Sequence, residues 1–390
     1  MVRLFRKAYN TLKQYGVTEV VRRSYIYFDR KATPSKYFHI LKRRSKNASV
    51  LFISGEPKNA TSFYRCEIPK YQLEHVGIET DIVHEDFLKP DLAKEYKYII
   101  FYRTPLHAGN KKILDIAKQR GIKTIFSIDD FVYRRDLLED LDYTKYLDTQ
   151  DSQRLLQRAD GMLKLMQKCD AGVSSTDYLA KDMRKYIKGE VLVHRNGYKQ
   201  LYDSLVSDSH LTPENHKLVL GYFSGSETHD RDLNLIWPVL TRALTENKDT
   251  ELWVGGRINF DFGQYACRVK RMPFMNRDDY MRLHSKVDIN LLPLEDTEFN
   301  RGKSEIKFLE AALVGVPTVV SAVGDLVNII GQVSQDLVAR NEGEWYDKLV
   351  KLMRDKDLRI DLAKSARGYV LANYKPEKLG KELKQFLEKI

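Results

Sequence analysis

Lys303, Ser304, Lys307 and Glu310 stand within the run KSEIKFLEAALVGVPTVVS, residues 303–321. On a helix turning about 100° per residue, Lys303, Lys307 and Glu310 share a stripe roughly 60° wide. Phe308, Leu309, Ala312 and Leu313 cover the opposite side. Ser304 is expected at the helix start, where free N–H groups and the helix dipole favour a phosphate. Residues 317–320 are apolar without alternation, as in a strand buried on both faces. Anion capture at the first turn and a hydroxyl acceptor two turns later suit a nucleotide: diphosphate on Ser304 and the two lysines, ribose on Glu310. The competing reading is a solvated helix face with pairs at i,i+3 and i,i+4.

Two neighbouring stretches favour the ligand reading. Residues 218–233, LVLGYFSGSETHDRDL, read as a strand, a small-residue loop and a helix. In that loop Gly225 and Ser226 allow a backbone to approach a ligand closely, and His229 and Asp230 follow. Residues 287–301, VDINLLPLEDTEFNR, read as a buried strand at 289–292 and a Pro-broken loop. That loop delivers Asn300 and Arg301 to the start of the 303 helix.

Such residues need a sheet to hold them. Short apolar runs at 50–54, 80–83, 98–102, 124–128, 171–174 and 191–194 read as strands, with helical patterns between several of them, as at 110–120 and 152–168. This βα alternation predicts a parallel, doubly wound α/β sheet. A second βα series begins at Leu218. The expected organisation is a basic arm over 1–47, a Rossmann-like domain over 48–200, a linker over 201–216, a second Rossmann-like domain over 217–370 and a final helical segment over 371–390. Ligands lie beyond the carboxyl ends of strands in such sheets. That singles out Gly55 after the first strand, Arg65 at the following helix start, Arg103 after YIIFY, and Asp129 with Asp130 after KTIFSI. The alternative for the Asp pair is a turn or helix cap.

The chain has 390 residues, long enough for two domains, and 43% hydrophobic residues for their cores. Cys66, Cys169 and Cys267 lie far apart and are odd in number, which speaks against a disulfide framework and a zinc site and for a reducing compartment. No apolar segment follows the charged N-terminus as in a secretory leader, and the longest uncharged apolar stretch, 311–324, is too short to span a bilayer. Residues 1–47 hold 13 Lys and Arg against Glu19 and Asp29, a net of +11 that equals the charge of the whole chain. Leu4, Phe5, Ala8, Tyr9 and Leu12 recur at helical spacing among those cations. A basic amphipathic helix of this kind reads as an element for an anionic membrane surface. Docking on its own domain is the competing reading. Nucleic acid is disfavoured, because no base-reading motif accompanies the charge.

The runs at 221–233 and 288–321 resemble the nucleotide-sugar half of retaining GT-B glycosyltransferases of the large E-x7-E group. Glu310 matches the second Glu of that signature, which binds the donor ribose in the family, and Gly302 stands where the first Glu is expected. Asn300, Lys303, Ser304, Lys307 and Glu310 fit a branch with the form FN-x-x-KS-x-x-K-x-x-E. The resemblance is specific over residues 218–325 and looser over 49–200. It implies a GT-B fold, two Rossmann-like domains facing across a cleft, with the last helix, 376–389, crossing back to the first domain. It also implies that the Asp129–Asp130 strand end faces the transferred sugar, and that residues 194–197 form the turn between domains.

The resulting expectation is a hexosyltransferase acting with retention. It moves a sugar from a nucleotide diphosphate sugar to a hydroxyl of a growing, lipid-linked cell-surface glycan, from the cytoplasmic face of the membrane. Lys303, Lys307, Asp129, Asp130 and His229 are the candidate catalytic residues. Gly225, Ser226, Arg257, Asn300, Arg301, Ser304 and Glu310 are the candidate donor ligands, and Gly55, Arg65 and Arg103 the acceptor side. The resemblance implies front-face transfer, in which the leaving phosphate helps deprotonate the acceptor, with no metal and no resident cofactor. The alternatives are a sugar-nucleotide epimerase on the same fold, using His229 with Asp129, and a degenerate partner subunit signalled by Gly302.

Overall fold

A computed structural model describes residues 47–141, 144, 147–209, 217–224, 230–256, 258 and 260–390. Two parallel six-stranded sheets organise the chain. The first comprises β1 (Val50–Ser54), β2 (Thr80–His84), β3 (Tyr98–Tyr102), β4 (Lys123–Ile128), β5 (Ala171–Ser174) and β6 (Val191–Val193) in the order β2-β1-β3-β4-β5-β6. The second comprises β7 (Leu218–Phe223), β8 (Thr250–Gly255), β9 (Val269–Met272), β10 (Ile289–Leu292), β11 (Thr318–Ser321) and β12 (Val338–Ala339) in the order β12-β11-β10-β7-β8-β9. Among the described residues every strand pairing is parallel, as when β1 aligns Val50 with both Thr80 and Tyr98.

The central strands are buried on both faces, which is why VLFIS and YIIFY carry no polar alternation. Helices cover them. The helix Ile306–Leu313 buries Phe308, Leu309, Ala311, Ala312 and Leu313 completely against the second sheet. The last helix, Pro376–Lys389, returns to the first sheet: Leu383, Phe386 and Leu387 share a core with Val50, Phe52 and Ile100. Phe299 also crosses over, from the second half of the chain into the core built on Phe126, Phe131 and Leu179.

Three local expectations shift. The 303 helix begins at Ile306, with Glu305 as its N-cap residue, so Ser304 lies outside its first turn. Lys303 and Ser304 are held instead by bonds to the first domain, described below. The 201–216 linker contains a helix over Asp203–Ser209. The strand expected from Pro317 starts at Thr318.

Candidate functional site

A cavity of about 590 Å³ lies between the carboxyl ends of the two sheets. Its first-domain wall comes from Lys58, Asn59 and Thr61 after β1, from Phe63 and Tyr64 on the helical start that follows, and from Asp129 after β4. Its second-domain wall comes from Ser224 after β7, Gly255 and Gly256 at the end of β8, residues 272–277 after β9, and Lys307 with Glu310. The loops after β7 and β8 touch. Gly256 has φ of +103°, and a Cβ there would stand 1.6 Å from the Ser224 carbonyl oxygen, so no other residue fits.

Glu310 and Lys307 are one helical turn apart and both line this cavity. Glu310 is buried and accepts three hydrogen bonds. Tyr64 donates to Oε1 at 2.5 Å, Arg277 Nη1 to the same oxygen at 3.1 Å, and Tyr280 to Oε2 at 3.2 Å. Arg277 also donates to the Tyr64 oxygen at 2.8 Å and stacks over the Phe63 and Tyr64 rings, 4.6 and 5.1 Å from their centroids. Burial first, and then the Glu310 charge, push the Tyr64 phenol well above its ordinary value, so it stays an O–H donor. The Lys307 ammonium lies over the Tyr222 ring, 5.9 Å from its centroid. Burial, the main cause, together with the charge of Lys303, pushes this amine down to about 8 against the opposing pull of Asp232 and Glu310. A half-buried amine on an aromatic face, with no carboxylate in contact among the described residues, is suited to meet an anion.

The paired carboxylates each have a cation of their own. Asp129 accepts from Arg103 Nε at 2.7 Å and from the Tyr102 hydroxyl at 3.2 Å. Arg103 takes φ of +50°, a strained conformation for an arginine, and its carbonyl is held by Arg158 at 2.9 Å. Arg103 therefore orients Asp129, which lines the cavity. Asp130 accepts from its neighbour Phe131 N–H at 3.0 Å and from Lys303 Nζ at 2.8 Å, across the two domains.

Several candidate residues sit elsewhere. Arg65 is 1% exposed, so it is not a surface group. It donates to the His194 carbonyl at 2.8 Å and to Ser127 Oγ at 3.3 Å, tying the ends of β4 and β6 together. Gly55 packs under β3: its N–H donates to the Tyr102 carbonyl, and a Cβ would stand 2.3 Å from the Arg103 oxygen. Asn300 donates to the Glu295 carbonyl of its own loop and to Asp232 on the helix Asp230–Glu246, so its side chain ties that loop to the helix. Arg301 pairs with the exposed Asp296. Ser304 accepts from Asn196 of the first domain at 3.0 Å. Gly225, Ser226, His229 and Arg257 lie outside the described residues.

Gly302 has a steric reason to lack a side chain. A Cβ at this position would stand 2.7 Å from two ring carbons of the buried Phe131 and 3.3 Å from Leu179. No carboxylate fits here while the domains meet in this way. Arg277 and Tyr280 escaped sequence reasoning, whereas Tyr64 belongs to the stretch 62–65 that sequence reasoning places at the helix start after the first strand, though with no role of its own. Arg277 and Tyr280 open a helix behind a sound N-cap, Asn276, which was their only local signal.

Among the described residues no group of three or more His, Cys, Asp or Glu side chains is arranged to hold a metal ion. No helix among them is long and apolar enough to cross a membrane.

A family model described as Glycosyl transferase-like matches residues 238–385. No curated protein sequence is significantly similar to the chain. Solved structures share the fold. Sucrose-phosphate synthase from Thermosynechococcus elongatus matches with a TM-score of 0.59 at 12% identity, over 87% of this chain and 98% of that one. HepE from Anabaena, in complex with UDP and glucose, matches with a TM-score of 0.59 at 14% identity, over 88% and 100%. TarM from S. aureus, in complex with fondaparinux, alpha-GlcNAc-glycerol and UDP, matches with a TM-score of 0.53 at 13% identity, over 78% and 57%. The two facing parallel sheets are those of the GT-B fold, and the family match adds its weight to the same side: together they support a GT-B glycosyltransferase.

Proposed function

We propose that this chain transfers a sugar, with retention at the anomeric carbon, from a nucleoside diphosphate sugar to a hydroxyl of a lipid-linked glycan acceptor. The observation that carries this reading is the placement of Lys307 and Glu310, one turn apart, in a single cavity between the carboxyl ends of two parallel sheets. In it, Glu310 accepts from the ribose hydroxyls, and the apolar wall from Met272 to Met275 faces the base. Lys307 meets the diphosphate beside the close backbones of Ser224 and Gly256. As the bond to the diphosphate breaks, negative charge grows on the leaving oxygen, and Lys307 stabilises it in a site partly shielded from water. Asp129, held by Arg103 and Tyr102, faces the acceptor side. Front-face transfer uses the leaving phosphate to take the acceptor proton, so it calls for no carboxylate nucleophile of the glycosidase kind. No divalent metal and no resident cofactor enter this scheme, since side-chain cations supply the positive charge.

The net +11 of residues 1–47 supports attachment to an anionic membrane, at the cytoplasmic face, with a role in polysaccharide biosynthesis. Residues 1–46 lie outside the described residues.

The test is incubation with a panel of nucleotide sugars and glycan acceptors, followed by NMR of the product. Transfer that keeps the anomeric configuration supports the proposal. An isomerised nucleotide sugar without transfer supports an epimerase instead, and donor binding without turnover across all acceptors supports a degenerate partner subunit.

A further inference from the structure

Glu310 belongs to the second domain, yet one of its three hydrogen-bond donors belongs to the first. A carboxylate offers about four acceptor positions. Tyr64, Arg277 and Tyr280 already fill three. A ribose brings two hydroxyls, so both cannot be accepted until at least one present donor leaves. Arg277 and Tyr280 sit on one helix, Arg277–His284, in the same domain as Glu310, and move with it. Tyr64 lies 246 positions away in sequence and moves with the first domain. It is carried by a π-helical turn, Phe63–Glu67, a distortion that concentrates at functional sites. The contact is also reinforced, because Arg277 donates to the Tyr64 oxygen and stacks on its ring.

We infer that Tyr64 gates the donor site: its hydroxyl occupies, from across the domain boundary, the Glu310 oxygen that the nucleotide ribose takes, so that nucleotide binding requires this contact to part. The inference rests on the ribose reading of Glu310 given above. Tyr64 is then a competitor for the nucleotide, a role distinct from that of a ligand. Its removal strengthens nucleotide binding, whereas removal of a ligand weakens it.

The test is calorimetric titration of the full-length chain with UDP, comparing wild type, Tyr64→Phe and Glu310→Ala. Tyr64→Met, which also removes the hydroxyl, serves as a second reading, with thermal melts to establish folding. The expected result is at least about ten-fold tighter UDP binding in both Tyr64 variants, the lower end of what a hydrogen bond to a charged group contributes. UDP binding no tighter than wild type in the folded Tyr64 variants overturns the gate. If Glu310→Ala then binds at least ten-fold more weakly than wild type, the ribose reading survives and the gate alone falls. If Glu310→Ala also binds as wild type, both fall together.

Discussion

Lys303 Nζ stands 2.8 Å from Asp130 Oδ2, and this pair joins the loop before the 306–313 helix of one domain to the end of β4 in the other. Both side chains are largely buried, 18% and 14% exposed. Lys303 therefore works across the domain boundary, while Lys307, four residues on, faces the cavity.

Removing either partner should leave the other charge largely buried without its counter-ion. A double-mutant cycle on Lys303→Ala and Asp130→Ala should give a coupling energy of roughly 0.5–3 kcal/mol in denaturant unfolding. Additive effects of the two substitutions would show that the pair contributes nothing to the domain contact.

Lys307 should impose a pH dependence on nucleotide binding. Its amine titrates near 8, far below an ordinary lysine, and a bound diphosphate favours the charged form. Affinity for UDP should be constant below that pH and fall as pH rises through it, by up to about ten-fold per pH unit, because binding must then take up a proton. Lys307→Arg, whose guanidinium stays charged, should flatten the profile. A flat wild-type profile between pH 7 and 9.5 would mean that Lys307 does not meet the diphosphate.

The same lowered value has a sign for folding. An amine that binds its proton less tightly when folded is a liability while charged, so Lys307 should make the protein more stable as pH rises from about 8 toward the unfolded lysine value. Melting temperatures of wild type and Lys307→Met, measured across that window, should converge toward its upper end. Parallel curves would contradict this.

Gly302 should tolerate no side chain. Adding a Cβ against Phe131 overpacks a buried contact between the domains, with an expected loss of about 1–3 kcal/mol for Gly302→Ala. Phe131→Leu combined with Gly302→Ala should cost less than the sum of the two. Wild-type stability in Gly302→Glu would show that the domains do not meet here in solution.

The arm predicts a salt-dependent attachment. Co-sedimentation with anionic vesicles should fall when the arginines and lysines of residues 1–47 are replaced by glutamine, and should weaken in wild type as salt is raised, since the Debye length shrinks from about 10 Å at 0.1 M to about 3 Å at 1 M. Equal binding by both proteins would remove the membrane role of the arm.

The central strands were legible because they are apolar on both faces, as VLFIS and YIIFY are, whereas the edge strand β9, VKRM, is largely solvent-facing and carries no such signal. Glu310 and Lys307 were legible because helical periodicity set them on one side of a short amphipathic segment. Their partners were not. Tyr64 meets Glu310 across 246 residues, and no local pattern encodes a contact of that range. Arg65 misled for a related reason: an arginine at a helix start reads as exposed, but the His194 carbonyl just beyond β6 and the Ser127 hydroxyl of β4 hold its two Nη atoms inside the fold. Ser304 sits before the helix because the bonds of Lys303 and Ser304 to Asp130 and Asn196 hold that segment out of helical form.

The most direct test of the account is calorimetric titration of Tyr64→Phe and of Tyr64→Phe with Glu310→Ala, a background without the competing contact, using UDP, each first shown to be folded by its melting curve. The account predicts that the Glu310 substitution weakens binding by roughly 1.5–3 kcal/mol, the contribution of hydrogen bonds to a charged group. Unchanged affinity in the folded double variant would contradict it, and would leave Lys307 and Glu310 as neighbours in a cavity that serves some other ligand.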